Sequence, residues 1–497
     1  MPKTFPQLIS DSYQRRLEGF QAAHSDPDWL AKRLAEFPNY PLFAEHLKLL
    51  WGTSDFVGEQ SETYPEMFQQ LVDSGDLQRS YSREDFQQAI SQRLLHLKDA
   101  VNEDQLARAL RQFRRREQVR IIWRDFSRQA SMPETTRELT WMAEAAITAS
   151  LDRLYQITCE ELGTPFNGSD QGALGQKMLV LAMGKMGAEE LNLSSDIDLI
   201  FAYPEKGETR RSATSPRGKT VSHQEFFTRL GQKLIAALDR QTADGFVFRV
   251  DMRLRPYGQS GALVMSFDAL EEYYLTQGRE WERFAMVKAR AVAGESRDIQ
   301  QLDEILRPFV YRKYLDFGAI DALRDLKRSI NRELKRKGMQ TDIKLGPGGI
   351  REIEFITQAF QLVRGGRNSA LQIPSLYQAL QQLGADQIID SSDCDSLWNA
   401  YSFLRNTEHA LQGIADKQTQ QLPEDELSQQ RVALIVGCDS WADFQQQLQG
   451  HRDYVMSVFG DMFADPDTQA DDKDADGKDL DYESFWRQTP ELAELLE

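Results

Sequence analysis

Asp196 and Asp198 are the first residues whose types and spacing point to chemistry. They lie near the start of an apolar run that ends at Tyr203. In a strand, residues i and i+2 point to the same face. Against an apolar interior, two carboxylates would repel and remain unsatisfied. Against a cleft, they offer the oxygen ligands that divalent cations take. Most Asp-x-Asp pairs are blander, with one residue capping a turn and the other facing solvent on an edge strand. Here the pair follows a glycine turn, Gly184-Lys185-Met186-Gly187, whose backbone is free to approach a ligand closely. The strand around it reads as buried, which favours the cation site.

A third carboxylate comes from the segment Gly245 to Pro256. Its residues alternate. Arg249, Asp251, Arg253 and Arg255 fall on one face, and Phe248, Val250, Met252 and Leu254 on the other. Asp251 is the sole acid on its face and completes what a two-cation centre needs, since two aspartates leave both ions under-ligated. The arginines suit phosphate oxygens, which they grip bidentately, or pair with the acids. Lys288 and Arg290 in the segment Trp281 to Arg290 serve either an anionic ligand or a solvated helix face. Arg351 and Glu354 share a face of a helix that follows the tight turn Gly346-Pro347-Gly348-Gly349.

The elements that must position these residues are mainly helical. Residues 1–155 read as a helical arm, with long helices over 104–128 and 135–154. The run Phe113-Arg114-Arg115-Arg116-Glu117 reads as a solvated helix face in preference to a nucleic-acid surface. A loop over 161–176 separates the arm from the strand–turn–strand unit. Pro216-Arg217-Gly218 marks a turn, and Ser222 with Glu225 has capping-box spacing. Residues 156–305 form the candidate catalytic domain and 306–464 a helical bundle, which includes a strongly charged helix over 321–337. Residues 465–497 read as an acidic linker and the truncated start of another segment. The expected class is α+β, predominantly helical, with a small mixed sheet.

Bulk properties narrow the function. The chain has 497 residues, which suits several domains, with 41% hydrophobic and 27% charged residues. A formal net charge of −18 disfavours nucleic acid as a partner, because that affinity rests on neutralising phosphates. The stretch from Asp465 to Glu483 carries nine acidic residues against two lysines. No stretch approaches a membrane span and no secretion signal is seen. Three scattered cysteines, Cys159, Cys394 and Cys438, suit a reducing cytoplasm. Six histidines form no zinc-type spacing.

The strings GKMGAEELNLSSDIDLIFAYPE, GFVFRVDMRLRPYGQSG, GREWERFAMVKAR and KLGPGGIREIEF are similar to the bacterial bifunctional glutamine synthetase adenylyltransferase/adenylyl-removing enzyme family. That family lies within the polymerase-β-like nucleotidyltransferases, and the resemblance covers most of residues 100–440. Met252, Leu345, Arg351 and Glu352 resemble the N-terminal, adenylyl-removing half. The resemblance implies phosphorolysis: inorganic phosphate attacks an AMP group on a tyrosine of adenylylated glutamine synthetase and ADP leaves. It implies two Mg²⁺ or Mn²⁺ ions on Asp196, Asp198 and Asp251. It implies phosphate contacts from Gly184, Lys185, Gly187 and Ser195, and from Arg253, Arg255 and Lys288. Arg351, Glu352 and Glu354 would close the site or brace their turn. The signal protein PII is an implied regulator. The alternatives are the adenylylating half, using ATP, an RNA nucleotidyltransferase, and a catalytically silent regulatory module.

Overall fold

The computed structural model describes residues 6–36, 42–95, 102–166, 175–211, 220–312 and 341–462. The expected charged helix over 321–337, the turn at 216–218 and the acidic stretch 465–497 lie outside them. No helix among the described residues is long and apolar enough to cross a membrane.

The arm contains α1 (Gln7–Ala23), α2 (Trp29–Glu36), α3 (Phe43–Thr53), α4 (Asp55–Thr63), α5 (Pro65–Asp73), α6 (Arg83–Leu95), α7 (Glu103–Phe126) and α8 (Met132–Leu162). Asn102 and Gln105 form a reciprocal capping box at the start of α7. Pro133 sits in the first turn of α8, where its missing N–H costs nothing, and Gly163 ends that helix at φ +78°.

The Phe113–Glu117 run corrects its reading as a solvated face. Arg114 is buried and pairs with Asp416 at 2.7 Å. Arg116 bridges Asp76 and the buried Glu117, which also binds Arg120 at 2.8 Å. Arg120 is fully buried and continues to Glu138, also at 2.8 Å. Charge-rich sequence signals solvent only on average. Here each cation meets a carboxylate from another helix or turn, which is the condition under which buried charge is tolerated.

The central sheet is built from β2 (Leu179–Ala182), β3 (Ile197–Tyr203), β5 (Val250–Asp251), β6 (Val264–Ser266) and β7 (Arg290–Ala293). A separate two-stranded pair joins β1 (Thr164–Pro165) to β4 (Thr209–Arg210). β3 lies between β2, its antiparallel neighbour, and the parallel β5 and β6. The wholly buried β2 also pairs antiparallel with β7. Side chains alternate between two cores. Val180, Ala182, Leu199 and Phe201 face the larger, with α8 and α10 (His223–Asp239). Leu179, Leu181, Ile200 and Ala202 face the smaller, with α11 (Phe267–Thr276) and α13 (Ser296–Val310). The Trp281–Arg290 segment, read as loosely alternating, divides into α12 (Glu280–Met286) and the start of β7.

The expected alternating strand over 245–256 is also corrected. Only Val250–Asp251 is strand. The Asp251 carboxylate accepts the Arg253 backbone N–H at 2.7 Å. That local side-chain bond competes with the sheet ladder and starts a turn. Asp251 therefore ends its own strand.

The bundle comprises α14 (Ile350–Arg364), α15 (Leu376–Ala385), α16 (Ser391–Gly413), α17 (Glu426–Val436) and α18 (Trp441–Met462). It docks against both arm and sheet. Ser54 Oγ donates to the Gly413 carbonyl at 2.6 Å, and Arg431 pairs with Asp55 at 2.9 Å.

Gly187 marks the tightest contact beneath the site. A Cβ there would stand 1.8 Å from the Lys288 carbonyl oxygen and 2.6 Å from that of Ala182. Both obstacles are backbone. Gly187→Ala is expected to cost at least about 2 kcal/mol in urea unfolding, the upper range for overpacking.

Candidate active site

β3 and β5 run parallel with Asp198 opposite Asp251 in register. Asp196 lies just before β3. The glycine turn forms a short helical turn, Gly184–Gly187, at the end of β2. These elements open onto a cavity of ≈ 220 Å³ that α12, α14 and α16 close from the other side. Asp196, Asp198, Asp251, Gly184, Lys185, Ser195, Arg253, Lys288, Arg351 and Glu354 all line it. The sheet and the bundle thus bring most of the sequence-derived residues to one place.

Three are placed elsewhere. Gly187 packs under the turn, as its clearance shows. Arg255 donates to the carbonyls of Met252, Gln259 and Gly261 and braces the loop after β5. The Glu352 carboxylate accepts the Gly348 N–H at 3.1 Å and caps the turn before α14. Arg290 also turns from the cavity, donating to the Gly187 carbonyl at 2.9 Å.

The carboxylates differ in company. Asp196 receives Arg249 Nε at 2.6 Å, and Asp251 receives Arg253 at 2.7 Å. No donor among the described residues reaches the Asp198 carboxylate. Burial, and then the charges of Asp251 and Asp196, push Asp198 up to about 7, against the pull of Lys344 and Arg253. Gly184 is at φ +53°, and a Cβ there would stand 3.2 Å from Asp198 Oδ2, so glycine leaves the carboxylate's approach open. Hard oxygen donors carrying uncompensated negative charge suit a divalent cation. Among the described residues no three acidic or metal-ligating side chains converge on one point. Asp196 and Asp251 face their arginines instead. The set fits a cation in donor type and charge, with the arginines partly neutralising the carboxylates.

The lysines are counterbalanced from the bundle. Lys185 Nζ lies 3.1 Å from both oxygens of Glu408 on α16. Burial pulls Lys185 down to about 8, with Glu408 opposing. Lys288 Nζ lies 2.7 Å from Glu354 and 3.2 Å from Glu190. Burial alone would raise Glu354, but Lys288 and Lys185 outweigh it and hold the carboxyl at about 2. Arg405 donates to the Glu190 carbonyl at 2.6 Å, and Gln412 accepts the Ser194 N–H at 2.9 Å.

Sequence reasoning missed Glu408, Arg405, Gln412, Glu190, Lys344 and Gln358. Lys344 stood in a string already singled out, beside the glycines of its turn. The α16 residues carried a faint signal, polar side chains recurring on one helical face. The aromatic wall of Trp281, Phe284 and Phe355 lay inside apolar patterns that read as core.

Residues 44–305 match the sequence model of glutamate-ammonia ligase adenylyltransferase. Residues 324–463 match that of the GlnD PII-uridylyltransferase. The chain is 49% identical over 483 residues to a bifunctional glutamine synthetase adenylyltransferase/adenylyl-removing enzyme of Pseudomonas syringae pv. tomato, covering 97% of this chain and 48% of the relative. Its likeness to the same-named protein of Nitrosococcus oceani is 47% over 434 residues, covering 87% and 44%. The chain spans about half the length of the curated relatives it matches.

Two outcomes follow from the electrostatics. A carboxyl whose folded pKa is raised to about 7 from 3.8 opposes folding once ionised, so its cost grows as pH rises through that window. In chelator, Asp198→Asn is expected to melt no lower than the parent at pH 8, with its advantage vanishing towards pH 4 in thermal scans. Glu354 has the opposite sign. Its stabilisation is present above the usual 4.5 and is lost as pH falls towards 2. Glu354→Gln is expected to cost about 3 kcal/mol at pH 7 in urea unfolding, and the gap to the parent should close across that acid window.

Proposed function

This chain belongs to the glutamate-ammonia ligase adenylyltransferase family of nucleotidyltransferase enzymes, and on that premise we propose that it removes AMP from adenylylated glutamine synthetase by phosphorolysis. The observation that carries the proposal is the gathering of Asp196, Asp198 and Asp251 in one cavity beside the Gly184 turn. The direction is supported by VDMRLRP around Asp251 and KLGPGGIREIEF around Arg351, which resemble the removing half.

In this reading Asp196, Asp198 and Asp251 would hold one or two Mg²⁺ or Mn²⁺ ions, which supply Lewis-acid polarisation of phosphoryl oxygens when bound. The Gly184 turn and Ser195 present N–H and hydroxyl donors to phosphate. Arg253 and Lys344, both on the cavity wall, offset the negative charge of two phosphates brought together. Lys185 and Lys288 act chiefly by fixing the turn and β7 against Glu408, Glu190 and Glu354. An oxygen of inorganic phosphate bonds to the AMP phosphorus as the phosphorus–tyrosine bond breaks. The bonding pair leaves on the phenol oxygen, giving ADP. Phenol has a pKa of about 10, so departure needs no strong general acid. The reaction belongs to the cytoplasm. PII is proposed as a regulator, in keeping with the match of residues 324–463.

Incubation of the chain with adenylylated glutamine synthetase, Mg²⁺ and phosphate is expected to release ADP. Asp196→Asn and Asp198→Asn should each lower that release by about a thousandfold or more. AMP transfer from ATP to unmodified glutamine synthetase, without ADP release from the modified form, would assign the chain to the adenylylating direction.

A further inference from the structure

The cavity wall also carries side chains that the phosphate chemistry does not use. α12 presents Trp281 and, one turn later, Phe284. α14 presents Phe355 and, one turn beyond Glu354, Gln358. Phe284 and Phe355 stack with ring centroids 5.5 Å apart and planes 29° apart. Leu254 completes an apolar wall. Amides line the same cavity, Gln358 among them. Gln358 is 6% exposed, lines the cavity, and has no side-chain hydrogen-bond partner among the described residues. As a cavity-lining amide it is not shut off from water, and a ligand in the cavity can take up its hydrogen bonds.

We propose that this aromatic wall is the nucleobase subsite and that Gln358 is the residue that selects adenine, an inference resting on the nucleotide chemistry proposed above. A flat π-face fits an apolar aromatic wall, as in other nucleotide-binding grooves. An amide carries one donor and one acceptor side by side. Adenine presents the complementary pair, an exocyclic N–H beside a ring nitrogen, whereas guanine presents two acceptors on its corresponding edge. The other flat group in the reaction is the tyrosine ring. Its oxygen is esterified to phosphorus, so it brings no polar edge for the amide. The carboxylates line the same cavity, which lets base and phosphate of one nucleotide share it.

The test is calorimetric titration of the chain in Mg²⁺ buffer with ADP, GDP, pyrophosphate and phenyl phosphate. The parent should prefer ADP to GDP. Gln358→Met, of similar size without the amide, should reduce that preference roughly tenfold and leave pyrophosphate affinity unchanged. Trp281→Ala, on the opposite helix, should weaken ADP and GDP alike and spare pyrophosphate. Melting curves of both variants establish that they fold, and each alone suffices to decide. An unchanged ADP:GDP ratio in Gln358→Met, equal losses for pyrophosphate, or a dependence shown by phenyl phosphate instead would overturn the proposal. ADP binding with this dependence but no ADP release from adenylylated glutamine synthetase would sink phosphorolysis and leave the base subsite standing. Release that is indifferent to Gln358 would do the reverse.

Discussion

The arrangement depends on one buried polar seam, where α16 meets the turn that follows β2. Tyr401, Arg405, Glu408 and Gln412 recur at helical spacing and form a single face. Each is buried, and each has a partner on the catalytic side or within the seam: Glu190, Lys185 or the Ser194 backbone. Glu190 and Glu354 continue the seam to Lys288, just before β7. Charges removed from water persist only when matched. The Gly184–Gly187 turn is therefore specified by a helix more than two hundred residues away in sequence.

That seam also accounts for what faces the cavity and what does not. Lys185 and Lys288 line it, yet their charges are largely met by carboxylates from behind. Asp198 has the opposite situation, a half-buried carboxylate next to two others with no donor of its own among the described residues. The seam keeps the cations engaged, and the strand register keeps the carboxylates together. The uncompensated charge is concentrated where a cation with phosphate would relieve it. Such local frustration is common where a site is built for something that binds.

The arm contributes by the same principle. Arg111 donates to the carbonyls of Ala237 and Gly245 and so ties α7 to the end of α10 and the loop leading to β5. His409 and Asp125 link α16 to α7 at 3.3 Å. Arm, sheet and bundle are joined by buried polar pairs as well as by a shared apolar core.

Local patterns in the sequence determined a good deal. The apolar runs of β2 and β3, the Asp196–Asp198 spacing, the glycine turn, the Ser222 cap and the long periods of α7 and α8 each follow from one-dimensional chemistry, and the described structure has those elements. Where the reading of elements failed, a local rule met a stronger contact. Asp251 bonded its own turn and cut short a strand that alternation had extended to Pro256. The arginines of 113–117 found carboxylates on other elements, and Arg114 went inside. Lys288 and Glu354, and Lys185 and Glu408, are separated by 66 and 223 residues. No periodicity links such pairs, because periodicity reports which face a residue lies on and not what stands opposite. The kinds of group at the site were determined by the sequence. Which of them face the cavity, and which neutralise one another behind it, was decided only when the bundle packed against the sheet.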